Sequence, residues 1–127
     1  MLGQDSTQPV LYRDRIYWFW GDTMRVAYPL GNFRTSGAVS VLPGRGRRDP
    51  SVGIDLRYFT DENGFSKQMC PFEPKQGLIW IDGVLTVNDE NGRERMLAHW
   101  LRLEKLGVNL EHGLCIYNDD EDIFERI

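Results

Sequence analysis

One stretch decides the fold class: Tyr12-Arg13-Asp14-Arg15-Ile16-Tyr17-Trp18-Phe19-Trp20-Gly21-Asp22-Thr23. Aromatic and β-branched residues fill Ile16–Trp20, as is typical of a buried, pleated strand. The polar residues Asp14-Arg15 separate this run from the apolar residues before it, as the turn of a β-hairpin does. The stretch therefore predicts a hairpin whose second strand delivers one carboxylate, Asp22, to a Gly-Asp-Thr turn.

The rest of the chain continues this pattern of short apolar runs separated by turn residues. Asn-Gly, which favours tight hairpins, occurs twice within an identical tetrapeptide, Asp61-Glu62-Asn63-Gly64 and Asp89-Glu90-Asn91-Gly92. The recurrence fits a repeating hairpin architecture and fits chance equally well. The predicted strands are Pro9–Tyr12, Ile16–Gly21, Ser36–Leu42, Ile54–Phe59, Gly77–Val87, Glu94–Leu103 and Leu114–Tyr117.

The stretch Arg93–Lys105 is compatible with two secondary structures. Its apolar residues fit one side of a helix, whereas its position after an Asn-Gly turn and a strand-like run favours a strand. We favour the strand, in which alternate residues lie on opposite faces. One face then carries Met96, Ala98, Trp100 and Arg102, and the other carries Leu97, His99, Leu101 and Leu103. Both faces are largely apolar, so we expect this strand to be buried on both sides.

Length and composition limit the classes of protein that the chain can belong to. Its 127 residues suffice for one domain with a hydrophobic core, and an aromatic content of 12% suits an all-β fold. A net charge of −4 argues against nucleic acid as a partner, because phosphate binding requires a basic surface. No apolar stretch approaches the roughly 20 residues of a membrane-spanning helix, so we predict no membrane insertion. No signal peptide is visible at the N-terminus.

The residues that usually bind metals and cofactors give no recognisable pattern. Cys70 and Cys115 match no metal-binding spacing, and the sequence leaves open whether they pair or stay free. The two histidines and the scattered acidic residues give no metal-ligand spacing. Phosphate-loop, dinucleotide-binding and Gly-x-Ser-x-Gly motifs are absent. We therefore predict neither a metal ion nor a cofactor.

The N-terminal residues resemble the first blade of five-bladed β-propeller glycosidases, the superfamily of arabinanases, levansucrases and invertases. The resemblance is carried by Gln8-Pro9, the turn Arg13-Asp14-Arg15, the aromatic strand Ile16–Trp20 and Gly21-Asp22-Thr23. The later runs Gly77–Gly83 and Gly92–Trp100 look like the opening strands of a second blade. The resemblance implies an all-β antiparallel meander that forms the N-terminal part of a five-bladed propeller.

A propeller needs at least four blades, whereas this chain has room for about two, over residues 4–60 and 61–127. We therefore expect residues 1–127 to be a single domain and a fragment of a longer protein, with a smaller sandwich as the alternative. If the resemblance holds, the location is extracellular or periplasmic. The oligomeric state is not predicted.

The resemblance also implies a function, which is hydrolysis of a poly- or oligosaccharide by carboxylates in the axial cavity of the propeller. In these enzymes the first blade supplies an acidic base or nucleophile, often an Asp just before a Pro. Here Gln8 precedes Pro9 and cannot act as a base, so we expect Asp22 or Asp5 to replace it. Asp82 is the candidate from the second blade, and the general acid Glu is expected beyond residue 127.

Candidate substrate-binding residues surround these carboxylates in the sequence: Arg25, Trp80, His99 and Trp20. Arg25 is suited to a substrate carboxylate, the two indoles to stacking on a sugar ring, and His99 to acid or base chemistry. Each also has a structural interpretation, as a surface arginine or a core side chain, and the aspartates are equally typical of turns. A non-catalytic carbohydrate-binding module and a structural β domain are therefore the alternative functions.

Overall fold

The computed structural model describes residues 3–24, 34–45, 49, 51–74 and 76–127. These residues are all-β with antiparallel sheets and contain no helix, which confirms the predicted fold class at that level. Accordingly, the described part of the chain offers no helix that could cross a membrane. Its strands are β1 (Gly3–Asp5), β2 (Gln8–Tyr12), β3 (Arg15–Trp20), β4 (Asp22–Met24), β5 (Ser36–Val41), β6 (Arg57–Tyr58), β7 (Leu78–Asn88), β8 (Glu94–Lys105), β9 (Val108–Asn118) and β10 (Ile123–Arg126).

The strands form two four-stranded sheets and one two-stranded ladder. The first sheet has the order β2-β3-β5-β6 and the second has the order β7-β8-β9-β10. The ladder β1–β4 continues the hairpin β2–β3 in the same register, since Gln8 pairs with Phe19 and, three residues further along each strand, Asp5 pairs with Asp22. The N-terminal hairpin is therefore one long ribbon with a single break.

The turn of this hairpin is Arg13-Asp14, one residue before the predicted position. Tyr12 pairs with Arg15, and the two central residues have positive φ angles of 47° and 58°, as a type I′ turn requires. The two Asp-Glu-Asn-Gly segments differ from this, because only their glycines have a positive φ. In both segments the first Asp accepts two backbone N–H groups through Oδ1. Local hydrogen bonding thus accounts for their identical turns.

The strand assignment of Arg93–Lys105 is confirmed, because β8 spans nearly all of it. Met96, Ala98, Trp100 and Arg102 are buried, as the alternation predicts for one face. On the opposite face Leu97, His99 and Leu101 are only half-buried. The expectation of burial on both sides is therefore wrong for these three residues. We call this half-exposed side of β7–β10 the outer face of the second sheet.

Other strand limits also differ from the prediction. The predicted strand Ile54–Phe59 contains only the two residues of β6, and β9 is much longer than the predicted Leu114–Tyr117. The strands β1, β4 and β10 were not predicted, since each has only three or four residues and carries no clear alternation.

The start of β7 is fixed by Gly77, whose φ is 77° and where a Cβ would overlap the carbonyl oxygen of Leu103.

The two large sheets pack face to face through aromatic rings. The ring centroids of Phe19 and Phe124 lie 5.1 Å apart, and those of Tyr17 and Tyr117 lie 5.5 Å apart, both edge to face. Such pairs each contribute about 0.5–1.5 kcal/mol beyond the burial of their surface.

Burial, reinforced by Asp119, raises the pKa of Tyr12 to about 12, so its hydroxyl stays protonated and donates to Asp119 at 3.0 Å.

Cys70 and Cys115 lie side by side in this core and are free thiols. Burial raises the pKa of the Cys70 thiol well above its usual value, and the neighbouring Cys115 thiol acts in the same direction. Because the thiolate is the reactive form of cysteine, Cys70 is a packing group here, and Cys115 is equally buried beside it.

Thr35 and Met69 link the two edges of the second sheet. The Thr35 N–H donates to the Ile79 carbonyl at 3.2 Å, and the Thr35 carbonyl accepts the Met69 N–H at 2.8 Å. The Met69 carbonyl in turn accepts the N–H of Phe124, on β10, at 2.7 Å. Gln8 adds a side-chain bond to the Ile81 carbonyl at 2.6 Å. The Gln8 bond holds the N-terminal hairpin against the edge of β7, and the Thr35 bond holds the start of β5 there.

Arg102 is a buried charge that fastens an irregular segment to the second sheet. Its side chain is 2% exposed, and its guanidinium donates to the carbonyls of Glu73, Pro74 and Gln76. Its Nε donates to Glu111 at 3.0 Å, and this contact is the main reason why the pKa of Glu111 is lowered. Removing the guanidinium takes away the donor that these three carbonyls share and loosens the irregular segment from the sheet.

We expect Arg102→Met to destabilise the fold strongly, because methionine keeps much of the side-chain volume but donates no hydrogen bond. Hydrogen bonds to a charged group each contribute roughly 1.5–3 kcal/mol, and urea denaturation measures their loss. The matched control is Arg45→Met, since the Arg45 side chain forms an exposed ion pair at 3.8 Å with Asp14, and its loss is expected to change the stability little. Equal stability of the two variants would contradict this role of Arg102.

Candidate functional site

Asp5 and Asp22 lie directly opposite each other on β1 and β4. Their neighbours Gln4 and Thr23 face the first sheet, where both approach the Ser36 hydroxyl, at 3.1 and 2.5 Å respectively. Because side chains alternate along a strand, Asp5 and Asp22 project together to the opposite side. The hairpin thus presents two carboxylates on one face.

Trp80 packs against this carboxylate pair from the second sheet. It lies on the outer face of that sheet, and its indole Nε1 donates to Asp22 Oδ1 at 3.0 Å. The indole also lies against the backbone of Gly21, at the point where β3 ends and β4 begins. Asp22 is half-buried by these contacts, whereas Asp5 is exposed. The two carboxyl groups therefore have different surroundings.

These surroundings change the acidity of Asp22. Burial raises its pKa, and the negative charge of Asp5 across the ladder raises it further, while the hydrogen bond from Trp80 opposes both effects. The net direction is upward, so the folded protein protonates Asp22 more readily than an ordinary aspartate. A carboxyl group that keeps its proton can donate it to a bound molecule.

The break in the hairpin is a point of backbone strain beside Asp5. Ser6 has a φ of 56°, in the left-handed region that non-glycine residues seldom adopt. Its N–H donates to Asp5 Oδ1 at 2.6 Å, and the Asp5 carbonyl accepts the Gly21 N–H at 3.0 Å. Strain of this kind costs about 1–3 kcal/mol and concentrates at functional sites.

A second polar cluster lies on the same face, two residues further along β7. Asp82 is the extra residue of a β-bulge, located between the pairs Ile81–Trp100 and Gly83–His99. Its Oδ1 lies 2.5 Å from His99 Nδ1, and His99 Nε2 lies 3.4 Å from His112 Nδ1 on β9. His112 was not predicted as a site residue. The sequence prediction started β9 at Leu114, whereas β9 begins at Val108 and includes His112. Its pairing with β8 then places His112 and His99 on the same face of the sheet.

The structure divides the predicted site residues into groups. Asp5, Asp22 and Trp80 form one cluster, and Asp82 and His99 belong to the other. Trp20 belongs to neither: it is 6% exposed and stacks on Tyr58 with ring centroids 5.8 Å apart. This packing argues against sugar binding by Trp20. Arg25 lies outside the described residues.

Comparison of the chain with protein-family models, curated proteins and solved structures gave no match. Within the described ranges, no three or more histidine, cysteine or carboxylate side chains are grouped so that they could jointly hold a metal ion. The functional interpretation therefore depends on the chemistry of the two clusters.

We predict that the two neighbours of Asp22 shift its pKa in opposite directions. Asp5→Asn removes a repelling charge and is expected to lower the pKa of Asp22, whereas Trp80→Phe removes a donor to the carboxylate and is expected to raise it. The carboxyl ¹³C chemical shift of Asp22, followed by NMR over a pH titration, measures both changes. Shifts in the same direction would contradict the described contacts.

The raised pKa of Asp22 also makes a prediction about stability. Because ionisation of Asp22 is harder in the folded protein than in the unfolded chain, the wild type loses stability as pH rises from about 4 through the raised pKa. Asp22→Asn cannot ionise and avoids this loss. We expect its free energy of unfolding, relative to the wild type, to be more favourable at pH 7 than at pH 3. Urea denaturation at the two pH values tests this, and the opposite trend would contradict it.

Proposed function

We propose that the chain belongs to a carbohydrate-active protein in which Asp5 and Asp22 cleave a glycosidic bond of a poly- or oligosaccharide. The observation that supports this is the direct opposition of the two carboxyl groups in unlike surroundings. Glycoside hydrolysis requires two carboxyl groups beside the scissile bond, one protonated and one ionised. The raised pKa of Asp22 suits the protonated role, and Asp5, which is exposed on the same face, is the second carboxyl group.

The pairing also suggests the stereochemistry. Residues directly opposite in an antiparallel ladder have Cβ atoms about 4.5–5.5 Å apart. Retaining glycosidases hold their carboxyl groups about 5–5.5 Å apart, and inverting enzymes about 6.5–9.5 Å apart. On this proposal Asp5 attacks the anomeric carbon while Asp22 protonates the leaving oxygen. Asp22 then takes a proton from the water that releases the sugar from Asp5, so both groups return to their starting states.

Trp80 is suited to hold the sugar beside these carboxyl groups. Its N–H is fixed to Asp22 Oδ1, so the orientation of the indole is tied to that of the carboxyl group. The indole is half-exposed, which leaves part of its apolar surface for contact with a sugar ring. Asp82, which the sequence placed among the catalytic candidates, is engaged by His99 and stays outside the reacting pair in this proposal.

The architectural part of the proposal is that the chain contributes the first blades of a propeller. In its support, β7–β10 is a four-stranded antiparallel meander in chain order, as a blade is. The first strands of the two sheets, β2 and β7, also lie next to each other, as the innermost strands of adjacent blades do. The remaining blades would come from polypeptide other than these residues. The linkage through Thr35 and Met69 is an added feature that ties the two meanders into one unit.

The test is hydrolysis of a panel of aryl glycosides and polysaccharides, with product anomers followed by ¹H NMR. We expect retention of configuration and a loss of roughly 10²–10⁴-fold in kcat for Asp22→Asn and for Asp5→Asn. Azide added to Asp5→Ala should restore turnover and give a glycosyl azide of inverted configuration, because azide then replaces the missing nucleophile. The control is Asp14→Asn, at the exposed hairpin turn, which should retain activity.

Two outcomes would contradict the proposal. Undiminished hydrolysis in both aspartate variants would remove the pair from the mechanism. Glycan binding by the wild type without product release, seen as a change in tryptophan fluorescence, would favour a non-catalytic carbohydrate-binding module instead.

A further inference from the structure

The two histidines of the chain meet on the outer face of the second sheet. His99 is on β8 and His112 is on β9, thirteen residues apart in sequence, and no other histidine is present. Their facing nitrogens, His99 Nε2 and His112 Nδ1, are 3.4 Å apart, and the ring centroids are 5.5 Å apart. Both rings are accessible to solvent, because His99 is half-buried and His112 is exposed.

This separation is long for a hydrogen bond but suits two ligands of one metal ion. Good N–H···O hydrogen bonds span roughly 2.7–3.2 Å. Two imidazole nitrogens at about 2.0–2.1 Å from a tetrahedral zinc ion are about 3.3–3.4 Å apart, and their ring centroids are about 5.2 Å apart. Both values are close to those observed. An octahedral ion, with ligands at about 90°, would need nitrogens about 2.9 Å apart at the same bond length.

Asp82 prepares His99 for this role. Its carboxylate lies 2.5 Å from His99 Nδ1, so the neutral ring carries its proton on Nδ1 and keeps the lone pair on Nε2, the nitrogen that faces His112. Histidines that bind metals commonly donate their other N–H to a carboxylate, which fixes the ring and makes the ligating nitrogen more basic. The bulge in β7 is what brings Asp82 to this position.

We propose that His99 Nε2 and His112 Nδ1 bind one tetrahedral divalent transition-metal ion, of which Zn²⁺ is the representative, with water in the other two positions. Imidazole ligands suit zinc, copper and nickel, and the angle implied by the nitrogen separation favours zinc among these. The site uses neither Asp5 nor Asp22 and is independent of the proposed hydrolysis. With two protein ligands, the site has fewer than the three or four of the common zinc-binding patterns.

The first test is calorimetric titration of the chain with zinc chloride in a buffer that does not bind metals. We expect one ion per chain, and at least tenfold weaker binding in His99→Gln and in His112→Gln. Asp82→Asn should weaken binding by roughly 10–100-fold, as loss of a carboxylate behind a ligand does. Asp14→Asn, at the distant hairpin turn, is the control and should bind as the wild type does. Binding should also weaken as pH falls, because protons compete for the imidazoles.

The second test identifies the ligating atoms. Long-range ¹H–¹⁵N spectra of the histidine rings should show zinc-dependent shifts centred on Nε2 of His99 and on Nδ1 of His112. Absence of binding by the wild type, binding that survives substitution of both histidines, or shifts on the opposite nitrogens would each overturn the proposal. Since His112 is exposed, His112→Gln should fold normally. It therefore tests the proposal even if His99→Gln fails to fold.

Discussion

The hydrogen bonds of Thr35 to the edge of β7 are the constraint on which the arrangement of the molecule depends. An open sheet edge presents unpaired N–H and C=O groups. At this edge the Thr35 N–H satisfies the Ile79 carbonyl, and the Thr35 hydroxyl accepts the Ile81 N–H at 3.2 Å. The residue between these two, Trp80, therefore has a fixed position. Its indole can meet Asp22 only because the N-terminal hairpin lies along this edge.

The candidate site is costly in stability, and the aromatic core offsets that cost. Like charges directly opposite in a ladder are destabilising, and Asp5 and Asp22 form such a pair whenever both are ionised. A left-handed Ser6 adds backbone strain next to them. Functional sites commonly carry costs of this kind, which a rigid scaffold sustains. Here the scaffold is the set of edge-to-face rings between the sheets, together with the carbonyl groups that Arg102 satisfies.

Local patterns in the sequence predicted the all-β class, the strand β8 and the position of Asp22 on the N-terminal hairpin, because each depends on neighbouring residues. The predicted Gly-Asp-Thr turn is wrong, because Asp22 and Thr23 lie in the strand β4 and pair with β1. The pairing of Asp5 with Asp22 could not be read in this way, since β1 and β4 are too short to show alternation. The bulge at Asp82 and the approach of His112 to His99 depend on the register between distant strands, which local preferences do not determine. The propeller and the glycosidase activity, both taken from the resemblance, stay predictions.

The bulge has a consequence for which changes the chain can tolerate. Before Asp82 the odd-numbered residues Ile79 and Ile81 enter the core, whereas after it the even-numbered Val84 packs there and Leu85 faces outward. The β-bulge absorbs Asp82 as one extra residue, so both halves of β7 bury their apolar sides against the same partner strand. Deleting this one residue would leave a regular strand in which Ile79, Ile81 and Val84 still share the core face. The bulge is therefore dispensable for the hydrophobic pattern of β7, and what a deletion at position 82 removes is the carboxylate beside His99.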